Sequence, residues 1–142
     1  MVSINTVLGR IDSKKLGFTQ SHEHICGGFG GSPHSFPEFL DRPATLARAV
    51  KDLTQARNEG LQTIMDVAPH DQGRDIRLQE EVSQQSGINI IVCTGTWLDV
   101  PRFFERLKPD KIAGMYIREI EEGIDGTGIK PGIIKVASDR DG

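Results

Sequence analysis

The sequence predicts an α/β fold in which strands and amphipathic helices alternate behind a short hairpin. Three observations carry that expectation. Apolar residues recur at three-to-four spacing in segments separated by short β-branched runs, so that strand and helix alternate through four strands and three helices. The run 88–94 is almost wholly apolar, as befits a strand buried on both faces of a parallel sheet. Each helical segment stops at a glycine, namely Gly60, Gly87 and Gly123.

The elements follow in order. The segment from Ile4 to Val7 and the one around Ile11 form a hairpin closed by Leu8-Gly9-Arg10. Residues 17–22 make the first main strand, and a long glycine-rich loop runs from there through Ser35. Pro43 opens the first helix, where a ring with no N–H to satisfy is well placed. Leu46, Ala49, Val50, Leu53 and Ala56 give that helix one apolar stripe. Residues 63–68 are the second strand, and the second helix spans about 74–86. After the strand at 88–94, Ile112, Met115, Tyr116, Glu119 and Ile120 mark the third helix. Residues 132–137 are the fourth strand. One helix per crossover implies right-handed connections and a parallel sheet in the order one-two-three-four, with helices on its outer face.

This rhythm suits a doubly wound sheet and a (β/α)8 barrel equally. The turn after the first strand separates them. It reads His22-Glu23-His24-Ile-Cys-Gly-Gly-Phe-Gly-Gly, whose glycines lack dinucleotide spacing and do not open a helix directly. Potential metal ligands at the carboxyl end of a strand are where a barrel enzyme keeps its site. Four strands are half of such a barrel, so the expected architecture is the amino-terminal half of a TIM barrel, strands one to four, preceded by the hairpin.

Composition narrows the function classes. With 142 residues, 37% hydrophobic, 26% charged and 16 glycines but no glycine-serine tract, residues 1–142 read as one partial domain without a linker. The net charge of −3 and the lack of any long basic run argue against nucleic-acid or anionic-membrane partners. No segment reaches the roughly 20 apolar residues of a membrane span. The first residues carry neither a basic region nor a long apolar run, so no secretory leader is expected. Cys26 and Cys93 lie far apart in apolar surroundings and read as buried free thiols, with the cytoplasm as the expected location.

Two clusters could carry chemistry. His22 and His24, two apart on a strand, project to one face, while Glu23 points to the other. Such a pair chelates one zinc-like ion, or it is a turn or a hydrogen-bonded pair with no metal role. Alternation in the fourth strand puts Ile133, Lys135 and Ala137 on one face and Ile134 and Val136 on the other. Lys135 either snorkels at a solvated edge or faces inward, where burial would lower its amine pKa and let the neutral amine react with carbon dioxide. Trp97 reads, on position alone, as a buried strand-end aromatic. Asp71 and Arg74 read as a helix start with a structural ion pair. His34 and His70 read as solvated loop residues, and Asp66 as a structural residue at the end of the second strand.

The segments Gly17-Phe-Thr-Gln-Ser-His22-Glu-His24-Ile-Cys-Gly, Asp71-Gln-Gly-Arg-Asp75, Thr94-Gly-Thr-Trp97-Leu-Asp and Arg118-Glu-Ile-Glu-Glu-Gly-Ile-Asp-Gly-Thr-Gly-Ile-Lys-Pro-Gly-Ile-Ile-Lys135-Val-Ala resemble the bacterial phosphotriesterase family of the amidohydrolase superfamily. The similarity runs from Ile4 to the last residues. It implies a binuclear zinc centre in a (β/α)8 barrel: His22 and His24 on the more buried ion, and Lys135, carbamylated by CO2, bridging both as a catalytic and metal-binding residue. Trp97 would bind substrate by packing on the leaving group. A metal-bridging hydroxide would attack a phosphotriester or a lactone. The family's remaining ligands are two histidines ending strands five and six and an aspartate ending strand eight, and this chain has none of them.

The expectation is therefore a partial hydrolase domain, inactive alone, whose partners are a small-molecule ester and the missing carboxyl-terminal half-barrel. The resemblance further implies a homodimer for the full-length form. The competing expectation is a non-enzymatic half-barrel that assembles with a complementary chain.

Overall fold

The computed structural model of the protein describes residues 2–98 and 100–137, and the side chains of Pro33 and His34 lie outside that description. Strands β1 (Ser3–Thr6) and β2 (Gly9–Asp12) pair antiparallel, with Ile4 opposite Ile11. This hairpin docks on the amino-terminal side of the main sheet. Val7 N–H donates to the Ile90 carbonyl at 2.9 Å, and Asn5 Nδ2 donates to the Pro131 carbonyl at 3.0 Å.

Strand β3 (Thr19–Glu23) begins the main sheet. The glycine-rich loop after it is not wholly irregular, since it contains the single-turn helix α1 (Ser32–Ser35) and a 3-10 turn at Pro37–Phe39. Helix α2 (Arg42–Asn58) starts where Asp41 accepts the Ala44 N–H at 2.9 Å, one residue before Pro43 is reached. A carboxylate there satisfies one of the amides that a helix start leaves without a partner.

Strand β4 (Thr63–Asp66) leads through a 3-10 turn, His70–Gln72, to helix α3 (Ile76–Ser86). The helix begins two residues later than the sequence suggests because Asp75 is its cap, accepting the Leu78 N–H at 2.9 Å. Gly87, with φ +72°, ends it in the left-handed conformation that favours glycine. Strand β5 (Asn89–Gly95), helix α4 (Pro109–Glu122) and strand β6 (Ile133–Lys135) complete the series.

The sheet order is β3-β4-β5-β6, all parallel, and the four strands curl as half of a TIM barrel. Strand order follows chain order without reversal. The doubly wound alternative is thereby excluded.

Burial follows the layers. Ile64, Ile90 and Val92 from the strands meet Leu78 and Val82 of α3 and Ile88 and Ile124 in one core, with Val7 of the hairpin closing its lower end. All of β5 from Ile90 to Gly95 is buried, as its apolar run requires. The stripe Leu46, Ala49, Val50 and Leu53 of α2 is only half-buried against this core. That helix packs on α3 along one flank.

Leu78 is fully buried at the centre of this packing. Leu78→Ala is expected to cost about 2–5 kcal/mol through lost burial and the cavity left behind. A urea unfolding midpoint that drops with unchanged slope checks this.

Candidate functional site

The carboxyl ends of the strands bring the singled-out residues to one end of the sheet. Strand β3 carries a register shift against β4 between Gln20 and Glu23, a bulge of the kind that re-aims side chains. Glu23 pairs in register with Asp66 and lines a recess against α2 with Arg48, Asp52 and Leu53, which is the helix side of the sheet. His22 projects to the opposite, inner side. His24 follows the last residue of β3, and its Nε2 lies 3.2 Å from Nε2 of His22.

The orientation of Lys135 follows from the β5–β6 ladder. Thr94 Oγ1 donates to Glu119 of α4 at 2.6 Å, so Thr94 faces the helices. Its register partner is Ile134, which shares that face, whereas Lys135, opposite Gly95, takes the inner one. Lys135 is half-buried, while Ile134 and Val136 are 65% and 78% exposed. Polarity is thus reversed from what residue type suggests, because no described helix lies over the outer face of β6. The His24 imidazole is held below its ordinary pKa, first by burial and further by the charges of His22 and Lys135, with Asp66 opposing.

Asp66 behaves as a structural residue. It is fully buried, accepts the Ile25 N–H at 3.1 Å and the Ala68 N–H at 3.0 Å, and so ties the end of β3 to the end of β4. Burial raises its pKa, and those amides pull the other way. Both cysteines are buried and free, and burial pushes the Cys26 thiol up to about 11 and that of Cys93 up to about 12. Thiols so fully protonated are not nucleophiles.

Two sequence expectations fail here. Asp71 and Arg74 do not pair. Arg74 donates to Glu119 at 2.6 and 3.2 Å and to the Cys93 carbonyl at 3.0 Å, whereas Asp71 accepts the Trp97 N–H with both oxygens, at 3.1 and 3.0 Å. The acceptors that Arg74 finds lie across α4 and β5, nearer its long side chain than the carboxylate three residues before it. His70 is not solvated either: it stacks by Phe104 and Tyr116, ring centroids 6.2 and 6.5 Å away, and its Nε2 is buried without a partner among the described residues. The His34 side chain lies outside the described residues. Trp97 is 40% exposed, between the two alternatives open for it. Nothing in residue spacing signals the hold of Asp71 on Trp97, or Glu119 as the partner of Arg74.

Among the described residues, no three His, Cys, Asp or Glu side chains converge as a metal-holding group. The carboxyl ends of β3 and β6 offer two imidazoles and one amine, with His24 also bordering the recess against α2.

Comparison with known proteins agrees with the half-barrel sheet. The description "Phosphotriesterase family" attaches to a family model that matches residues 2–142, and the chain belongs to that family. It is 36% identical over 134 residues to an aryldialkylphosphatase of Saccharolobus solfataricus, covering 93% of this chain and 43% of that protein. It is 36% identical over 152 residues to a phosphotriesterase homology protein of Mycobacterium tuberculosis, covering 100% and 47%. A phospho-furanose lactonase of Mycoplasmopsis agalactiae is 28% identical over 131 residues, covering 86% and 36%. The chain spans less than half the length of these relatives. Among the described residues, no helix is long and apolar enough to cross a membrane.

Proposed function

We propose that this chain contributes the first four strands of a binuclear zinc-dependent hydrolase that cleaves phosphotriesters or lactones. The observation that carries the proposal is the 3.2 Å separation of the two Nε2 atoms. Zinc–nitrogen bonds of about 2.0–2.1 Å at a tetrahedral angle put two nitrogens roughly 3.3–3.4 Å apart. The imidazole pair is thus set to grip one ion, and the donor set fits.

Lys135, once carbamylated, would serve both ions. Its neutral amine adds to carbon dioxide, forming an N–C bond and releasing a proton, and the resulting carbamate offers two oxygens where an amine offers one nitrogen. When bound, two such ions supply Lewis-acid polarisation of the substrate and an activated water. This chain's own residues hold that centre and shape its surroundings. His22 and His24 present neutral nitrogens from one edge strand, Lys135 faces them from the other, and Trp97 packs on the leaving group.

The names of the relatives span both chemistries, phosphatase and lactonase. An aromatic at position 97 suits an aryl leaving group and favours the phosphotriester. The further ligands that two ions need would come from polypeptide equivalent to the rest of the relatives' length. The buried reduced thiols suit a cytoplasmic location. A second reading, a half-barrel that serves only in assembly, is favoured by the uncovered Ile134 of β6 and Val136 just after it.

The test supplies what the relatives add. Mixed with the carboxyl-terminal half of the Saccharolobus relative, zinc and bicarbonate, the chain is expected to retain two zinc ions per complex and to hydrolyse an aryl dialkyl phosphate, while the chain alone turns over nothing. A stable complex that binds no zinc and cleaves neither that substrate nor a lactone would favour the assembly reading instead.

A further inference from the structure

We propose that Asp71 is a positioning residue that sets where Trp97 stands relative to Lys135. The inference rests on Trp97 being a wall of the substrate pocket. Strand β5 ends at Gly95, and beyond it the ladder no longer holds the chain. Two contacts fix the exit, the first being the closing bond of the Gly95–Lys135 pair. Thr96 N–H donates to the Lys135 carbonyl at 3.2 Å, and Trp97 N–H is received by both Asp71 oxygens. Gly95 makes the first contact possible: its φ is +114°, and a Cβ there would run into the Lys135 carbonyl. Successive amides are therefore tied to opposite sides of the inner face, one to β6 and the next to the loop after β4.

Asp71 is itself mounted firmly. It sits in the 3-10 turn His70–Gln72, where Gln72 N–H donates to the Pro69 carbonyl at 3.0 Å. The turn is pinned in turn by Gly28 N–H on the Gln72 carbonyl at 3.1 Å. Among the described residues, the Asp71 carboxylate accepts from no group but the Trp97 amide, and Arg74 is engaged elsewhere. A carboxylate acceptor makes a hydrogen bond roughly twice as strong as a neutral one. With that bond in place, the Trp97 backbone is held one residue beyond the Thr96 amide that meets the Lys135 carbonyl. The clamp bears on how tightly an aromatic leaving group is received, and thus on KM rather than on kcat.

Trp97 is the chain's single tryptophan, so its fluorescence reports this position without interference. The wild-type chain, Asp71→Asn and Asp71→Ala are compared by time-resolved anisotropy, acrylamide quenching and titration with 4-nitrophenol as an aryl leaving-group probe. For Asp71→Ala, the quenching constant is expected to rise by about 1.5- to 2-fold as the loop gains nanosecond motion. Its 4-nitrophenol affinity is expected to fall about 3- to 10-fold, part of the worth of one charge-assisted bond. Asp71→Asn keeps one acceptor oxygen but not the charge, and is expected to fall between wild type and Asp71→Ala in both.

An alanine variant with wild-type melting and wild-type Trp97 motion overturns the clamp, and so does an asparagine variant as loose as alanine. A loosened Trp97 with undiminished nitrophenol affinity overturns the positioning role through its premise, the pocket-wall reading of Trp97. If the alanine variant does not fold, hydrogen exchange of the wild-type Trp97 amide decides. Protection supports the clamp, and exchange at the rate of an unstructured chain overturns it.

Discussion

Arg74→Ala is expected to be the most damaging single substitution for folding, at a cost of about 3–5 kcal/mol. The guanidinium side chain is 2% exposed and that of its partner Glu119 is 15% exposed. Arg74 holds the β5 backbone at Cys93 and the α4 carboxylate together, and Thr94 donates to the same carboxylate at 2.6 Å. Removing the cation leaves an enclosed charge with one hydroxyl for company, which costs far more than the intact pair contributes. Against a typical domain stability of about 5–15 kcal/mol, little would remain.

Urea unfolding near neutral pH measures the loss. Arg74→Met combined with Glu119→Leu is expected to recover most of it, because an apolar pair of similar volume leaves no stranded charge. Acid should narrow the gap between wild type and Arg74→Ala. Burial alone would raise the Glu119 pKa, but Arg74 and Thr94 outweigh it and hold the carboxyl below the ordinary glutamate value. A lowered folded value contributes stability above the unfolded pKa and loses it as pH falls through the folded one. Wild type should therefore weaken in acid at this site. The alanine variant, which has already lost the pair, should not show that loss.

The second large effect concerns metal. In the complex with a complementary half-barrel, His22→Ala or His24→Ala is expected to reduce zinc affinity by well over the roughly 10- to 100-fold that loss of a mere supporting contact costs. Each imidazole would be a direct ligand, and two nitrogens 3.2 Å apart chelate where one alone only coordinates. Glu23→Gln, on the helix side of the same strand, should leave zinc binding near wild type. Competition against a chelating dye, with metal counted after gel filtration, gives the affinities. Equal zinc retention by wild type and both alanine variants would remove the imidazole pair from the centre.

Zinc binding and folding separate cleanly in this pair of experiments. Arg74 and Glu119 lie on the helix side of β5, whereas His22 and Lys135 face inward. A variant that melts early yet holds zinc once folded, beside one that folds normally and holds none, would mark the two faces of the sheet as independent. Distant sites without shared partners are expected to behave additively.

Much of the fold was legible because its signals are local. Helix α2 is announced by Pro43 and a stripe at three-to-four spacing, and the end of α3 by Gly87, whereas the caps Asp41 and Asp75 show only in the structure and move the α3 start by two residues. Strand β5 shows its burial in composition alone. His22, Glu23 and His24 declare alternating faces simply by being consecutive on a strand. Parallel order then follows from having a helix in every connection.

Contacts between distant segments are another matter. Arg74 has a carboxylate three residues before it at Asp71 and pairs instead with Glu119, 45 positions on. Asp71 spends its charge on an amide 26 positions away. His70 looks like a loop residue until Phe104 and Tyr116 arrive from other elements to cover it. Ile134 and Val136 carry every mark of a buried pair, yet they are exposed because burial depends on what lies over a strand and not on the strand. By itself the amino-acid order determined the main strands and helices and their sequence, and it singled out His22, His24 and Lys135 as candidates. Periodicity and capping act over a few residues, so they can be read along the chain. Only the tertiary structure decided who pairs with whom and which face is covered, because side chains choose among partners that folding brings within reach, and sequence separation does not predict that reach.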